Sequence, residues 1–177
     1  GCLPKDIRGF RAAAADLGVS SLESLLATVD EINLGRRERV VALARQAAGG
    51  ALAARRVAVL GVAFKPDSDD VRDSPSLAVC DRLTAEGAVV SVHDPVAMPS
   101  AARKRPGLRY PPSVFEAAEG ADLILHLTEW SDYRAIDPAA LARVVARRVI
   151  IDARCGLDAA LWRAAGWTVH VLGRPQG

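Results

Sequence analysis

Residues 57–75 read VAVLGVAFKPDSDDVRDSP. Val57 to Leu60 form a short apolar run bounded by Arg56 and Gly61, the signature of a strand buried on both faces of a parallel sheet. After Gly61 the chain spends about a dozen residues on a loop that carries Lys65, four aspartates and Arg72. Only then does a helix begin, with Ser74 placed as N-cap and Pro75 at the first helical position. A charged loop between a buried strand and a helix N-terminus lies at the carboxyl edge of the sheet, where open α/β folds bind ligands. The loop is therefore the expected ligand site.

Downstream, strand-like and helix-like segments alternate. A helix is expected over 76–86, a strand over 89–93, a short helix over 114–119 and a strand over 123–128. A helix over 138–146, a strand over 149–152, a helix over 159–165 and a last strand over 168–172 follow. Such alternation implies right-handed βαβ units and a Rossmann-like parallel sheet with helices on both faces. Upstream, residues 4–15 have helical composition with Gly18 as a stop, and residues 20–48 form a long helix. Ser20 and Glu23 are spaced as a capping box, and Leu22, Leu25, Leu26, Val29, Ile32, Val40, Leu43 and Ala44 recur at helical intervals. At 1.5 Å per residue this helix would be roughly 40 Å long, which suits a bridge between domains or a dimer contact. Gly35 weakens its middle, with a kink or a close helix contact as the two readings, and Asn33, Arg36 and Arg37 fall on its polar side. The chain thus divides into a helical segment, 1–50, and a Rossmann-like domain, 51–177.

Composition narrows the function classes. The 23 basic and 21 acidic residues give a net charge of +2, with no long block of one sign, which argues against nucleic acid as the main partner. No apolar run reaches the length of a membrane span and no signal-peptide pattern opens the chain, so the cytoplasm is the default address and no membrane is expected. The three cysteines, Cys2, Cys80 and Cys155, show no CxxC spacing, and no metal site is proposed. His93, His126 and His170 sit in or beside strand-like runs and read as hydrogen-bonded core or sheet-end histidines.

A dinucleotide fingerprint is absent after the first strand. With Gly61 as the first glycine of GxGxxG, the second and third fall on Ala63 and Pro66, where backbone should approach a pyrophosphate and a helix should start. The loop offers Lys65 instead, a point charge suited to phosphate. The chain has 20 arginines and three lysines, and two of those lysines, Lys5 and Lys65, fall in candidate motifs. Arg154 follows the fourth strand, and Thr128, Glu129 and Trp130 follow the third. A lysine, an arginine and an aromatic converging at one edge would serve a nucleoside diphosphate. Cys2 lies just ahead of a helix N-terminus, whose partial charge favours a thiolate.

Five ordered motifs carry a resemblance: GCLPKD at 1–6, GVAFKPDSDDVRDSPS at 61–76, HDP at 93–95, LTEW at 127–130 and IDAR at 151–154. Together they resemble the C-terminal part of the UDP-glucose/GDP-mannose dehydrogenase family, with UDP-glucose 6-dehydrogenase as the most similar subgroup. The resemblance implies an NAD-dependent oxidation of UDP-glucose to UDP-glucuronate, with Cys2 trapping the aldehyde as a thiohemiacetal that a second hydride transfer turns into a thioester. It implies that Asp6 helps to position or activate water, and that Leu3, Pro4 and Lys5 line the cofactor side. Phe64, Lys65 and Arg154 would meet the UDP-sugar, and Arg72 would reach NAD. It further implies that NAD is held mainly by an N-terminal domain outside this sequence, that the chain alone does not turn over, and that the helix over 20–48 makes a homodimer. Two alternatives are kept: a GDP-mannose or UDP-N-acetylamino-sugar 6-dehydrogenase, and a stand-alone non-catalytic nucleotide-binding module.

Overall fold

The computed structural model describes residues 2–174, with side chains from Pro4 onward. The side chains of Cys2 and Leu3, and hence the roles assigned to them, lie outside the described residues.

The chain opens with a helical hairpin, α1 (Cys2–Asp16) and α2 (Ser20–Ala47), packed along each other. The turn between them is short. Gly18 adopts φ +68°, its N–H donates to the Ala15 carbonyl and the Val19 N–H reaches back to the Ala14 carbonyl. This is a Schellman-type closure that only a residue tolerant of left-handed backbone completes without strain. It also displaces the expected capping box. α2 starts at Ser20 with Val19 as N-cap, so the Ser20 hydroxyl stands inside the helix and caps nothing. α2 runs its full 28 residues. At Gly35 an added Cβ would meet nothing within 4 Å, so that glycine answers to no close helix contact among the described residues.

Five strands form one parallel sheet: β1 (Arg56–Leu60), β2 (Val89–His93), β3 (Leu123–His126), β4 (Val149–Asp152) and β5 (Thr168–Val171), in the order β2-β1-β3-β4-β5. Every residue of β3 and β4 is buried, and in β1 all but Arg56, whereas the edge strands β2 and β5 each begin with an exposed residue. This is the burial expected of a parallel sheet covered on both faces. α3 (Pro75–Ala85) packs along β2 and against α2, while the C-terminal half of α2 buries Val40, Val41 and Ala44 and reaches β4. Ser74 caps α3 as the sequence predicts: its hydroxyl accepts from the Leu77 N–H at 3.3 Å and donates to the Val62 carbonyl at 2.7 Å. The remaining helices are short: α4 (Met98–Lys104), α5 (Val114–Ala118), α6 (Ser131–Arg134), α7 (Pro138–Leu141) and α8 (Ala159–Ala164).

Two expected elements are shortened. β3 ends at His126 rather than at residue 128, because the Leu127 and Thr128 N–H groups both turn to the Leu60 carbonyl and leave the ladder. The helix expected over 138–146 stops at Leu141. No helix among the described residues is long and apolar enough to cross a membrane.

Strand order positions the site. Because β2 and β3 lie on opposite sides of β1, the connections leaving β1 and β3 diverge and open a crevice at the carboxyl edge, the switch point at which such sheets bind ligands.

Candidate functional site

A cleft of about 420 Å³ opens between α2 and this edge. α2 supplies Asn33, Arg36, Arg37 and Val40; the first turns of α3 supply Pro75, Ser76 and Val79; Phe64, Leu127, Ala153 and Arg154 come from the strand ends, and Pro4 of α1 contributes from the hairpin. Asn33, Arg36, Arg37 and Val40 stand at i, i+3, i+4 and i+7, so one helical face carries them all. The described residues that line the cleft include three arginines and no aspartate or glutamate.

The loop after β1 is held from beneath by Asp94, the aspartate of the HDP motif. Its carboxylate is fully buried. One oxygen accepts from the Val62 and Ala63 N–H groups at 2.8 and 2.9 Å and from the Trp130 indole at 3.3 Å. The other accepts from the Val96 and Ala97 N–H groups at 3.1 and 2.8 Å. Trp130 is therefore a buried support, 4 % exposed, and not the edge aromatic that its place after β3 suggests. Phe64 is the aromatic that lines the cleft. Gly61 lets the connections leaving β1 and β3 pass close together here: at φ +93° an added Cβ would stand 2.7 Å from the Thr128 backbone nitrogen. The Thr128 hydroxyl closes the crossing with a hydrogen bond to the Ala63 carbonyl at 2.8 Å.

Arg154 reaches the cleft but is already engaged. Its guanidinium donates to both oxygens of Glu129, at 2.8 Å in the longer bond, and this pairing holds the Glu129 carboxyl below the usual glutamate range. Its backbone N–H donates to Asp152 at 3.0 Å. Asp152 in turn accepts from His126 Nδ1 at 2.8 Å and from the Leu157 N–H at 2.9 Å. Burial acts to raise the Asp152 pKa, but these three hydrogen bonds outweigh it and the net shift is downward. His126 and Asp152 are register partners on β3 and β4, both essentially solvent-free, and the Tyr133 ring meets His126 edge-on at 5.7 Å. Gly156 passes so close that an added Cβ would stand 2.9 Å from the His126 ring.

The other residues singled out in the sequence scatter. Lys65 is exposed and outside the cleft lining, its ammonium 5.7 Å from the Phe64 ring centroid. Lys5 and Asp6 lie on the solvent side of α1, with their charged groups 3.8 Å apart. Arg72 lines a second cleft of about 450 Å³, between residues 69–72 and α4, together with Ser100, Arg103 and Lys104. There its guanidinium donates to both oxygens of Asp70, whose carboxyl is pushed down to about 2 mainly by these bonds. The site as folded thus brings together Pro4, Phe64 and Arg154 from the sequence-based set and adds Asn33, Arg36 and Arg37.

The sheet's own first turn does not fit a dinucleotide. A pyrophosphate at this position would need free N–H groups after β1. Those of Val62 and Ala63 are taken by the Asp94 carboxylate, and the Phe64 N–H by the Asp70 carbonyl. With these donors engaged, none of the three N–H groups of residues 62–64 is left for a pyrophosphate.

Comparison with known proteins gives a consistent result. Residues 58–159 match the model of the UDP-glucose/GDP-mannose dehydrogenase family, UDP binding domain. The chain is 36% identical over 155 residues to a UDP-glucose 6-dehydrogenase of Rhizobium meliloti, covering 86% of this chain and 35% of that protein. It is 34% identical over 176 residues to the UDP-glucose 6-dehydrogenase YwqF of Bacillus subtilis, covering 98% of this chain and 39% of that protein. Among solved structures, a UDP-glucose dehydrogenase from Pyrobaculum islandicum superposes with a TM-score of 0.73 at 28% identity, covering 94% of this chain and 37% of that one. The chain spans between a third and two fifths of the length of these relatives.

Proposed function

The chain belongs to the UDP-glucose/GDP-mannose dehydrogenase family, and from that premise we propose that it is the UDP-binding part of an NAD-dependent UDP-glucose 6-dehydrogenase. One observation carries the reading. A cleft lined by three arginines, and by no carboxylate among the described residues, lies at the β1/β3 switch point, where α2 faces strand ends that belong to the segment matching a UDP-binding domain. A nucleoside diphosphate needs an apolar surface for its base and cations for its phosphates. Phe64, Val79 and Leu127 offer the first and the arginines the second.

Within this reading Phe64 and Arg154 contact the nucleotide, and Glu129 holds the Arg154 fork in place. Cys2 is the nucleophile of the whole enzyme, and Asp6 stands one helical turn along α1 from it. NAD belongs to a part of the enzyme other than the β1 turn, with Pro4, Lys5 and Arg72 on its side of the substrate. The enzyme works in the cytoplasm as a homodimer through the helical hairpin. Support for that contact comes from apolar side chains left in solvent along it: Phe10, Leu25 and Ile32 are 57%, 61% and 55% exposed.

Calorimetric titration of the chain with UDP and with GDP tests the nucleotide assignment. UDP is expected to bind at least about tenfold more tightly than GDP, a difference of roughly 1.4 kcal/mol. Equal affinities would reject a site built for the UDP moiety.

A further inference from the structure

We propose that His126 is a positioning residue of the nucleotide site: through Asp152 it fixes the turn from which Arg154 enters the cleft. The proposal rests on the nucleotide reading for the identity of the ligand.

His126 is the last residue of β3 and is fully buried, on a strand whose other residues, Leu123, Ile124 and Leu125, are apolar. One ring nitrogen, Nε2, meets no hydrogen-bond partner among the described residues. A half-satisfied polar ring in a sheet core is a cost that an aliphatic side chain at this position would not carry. The other nitrogen offsets it, since Nδ1 stands 2.8 Å from Asp152 Oδ1. An ionised carboxylate only accepts, so Nδ1 carries the hydrogen and His126 is the donor.

The bond matters because of what else that carboxylate holds. The same Oδ1 accepts from the Arg154 N–H at 3.0 Å, and Oδ2 accepts from the Leu157 N–H at 2.9 Å. Between these two anchors Cys155 takes φ +53°, a left-handed conformation in a residue with a side chain, and Gly156 passes against the His126 ring. The His126 carbonyl accepts from the Ala153 N–H at 3.0 Å. The turn over 153–157 is thus wrapped on the buried pair, and Arg154, which lines the cleft, projects from it. Removing the imidazole frees the carboxylate to rotate, which loosens both N–H anchors and lets the strained turn relax away from the cleft.

The test compares His126→Leu, which keeps the burial and loses the donor, with His126→Asn, whose amide N–H can stand where Nδ1–H does; circular dichroism verifies that each folds. Hydrogen exchange at the Arg154 and Leu157 amides, read without ligand, is expected to speed at least about tenfold in the leucine variant and to stay within about threefold in the asparagine variant. Calorimetric titration with UDP should follow the same order, at least about tenfold weaker for leucine and within about threefold for asparagine. In an Arg154→Gln background His126→Leu should weaken UDP no further, because a residue that acts through Arg154 has nothing left to position, whereas a general loss of packing would add. Asparagine losing as much as leucine, full retention in both variants, or an additive loss in the double variant overturns the proposal. If UDP does not bind the unmodified chain, the nucleotide reading fails, and the exchange difference between the two variants alone upholds or overturns the hold of His126 on Arg154.

Discussion

Asp94→Asn is expected to destabilise the fold by about 3–5 kcal/mol, although it changes one atom and no volume. The carboxylate is fully buried and accepts from five donors, four backbone N–H groups and the Trp130 indole. An asparagine carries one oxygen and one NH₂. Whichever way it is turned, the NH₂ confronts either the Val62, Ala63 and Trp130 donors or the Val96 and Ala97 donors, and at least two N–H groups lose their acceptor. Each buried donor left without a partner costs about 1–3 kcal/mol. The effect should be local as well as global: the N–H groups of Val62 and Ala63 gain freedom, and the loop that carries Phe64 loosens. Urea denaturation measures the first effect and hydrogen exchange at residues 62 and 63 the second. A midpoint equal to that of the unmodified chain would show that the carboxylate does not organise this loop.

Gly61→Ala should be nearly as severe, at about 2–5 kcal/mol, from two sources that add. An alanine at φ +93° costs about 1–2 kcal/mol in backbone strain, and its methyl, forced against the Thr128 backbone, costs a further 1–3 kcal/mol in displaced packing. The methyl cannot be accommodated by a rotamer change, because it meets the Thr128 Cβ and backbone nitrogen, neither of which moves with χ1. Relief would require the connections after β1 and β3 to spread, which also breaks the Thr128 hydroxyl bond to Ala63. Thermal unfolding of the variant reads the loss, and loss of nucleotide binding should accompany it. A variant as stable as the original would mean that the two connections are not packed this closely.

Both residues belong to motifs legible in the sequence, but their roles were not. The HDP aspartate reads as a turn residue; that it faces a loop more than thirty residues earlier follows only from the pairing of β1 with β2. The strand–helix alternation itself was plain, because buried parallel strands write continuous apolar runs and helix starts carry Ser-Pro signals. Strand order was not, since local pattern does not say which strand a crossover returns to. The same gap hid the His126–Asp152 pair, two polar residues on strands that meet only in the folded sheet.

Trp130 shows the reverse. Its place after β3 reads as an edge position, and the fold turns the indole inward onto Asp94. Arg36 and Arg37 were visible as a polar stripe on α2. What could not be read was the surface opposite them, because that depends on how the C-terminal half of α2 packs on α3 and β4.

On the proposed function, one nucleotide site lies between α2 and the carboxyl edge of the sheet. Amide chemical-shift mapping of the isotopically labelled chain during a UDP titration tests it most directly. The largest shifts are expected together on residues 33–37, 62–65, 127 and 153–154. Shifts concentrated instead on residues 69–72 and 100–104, around the second cleft, would contradict it.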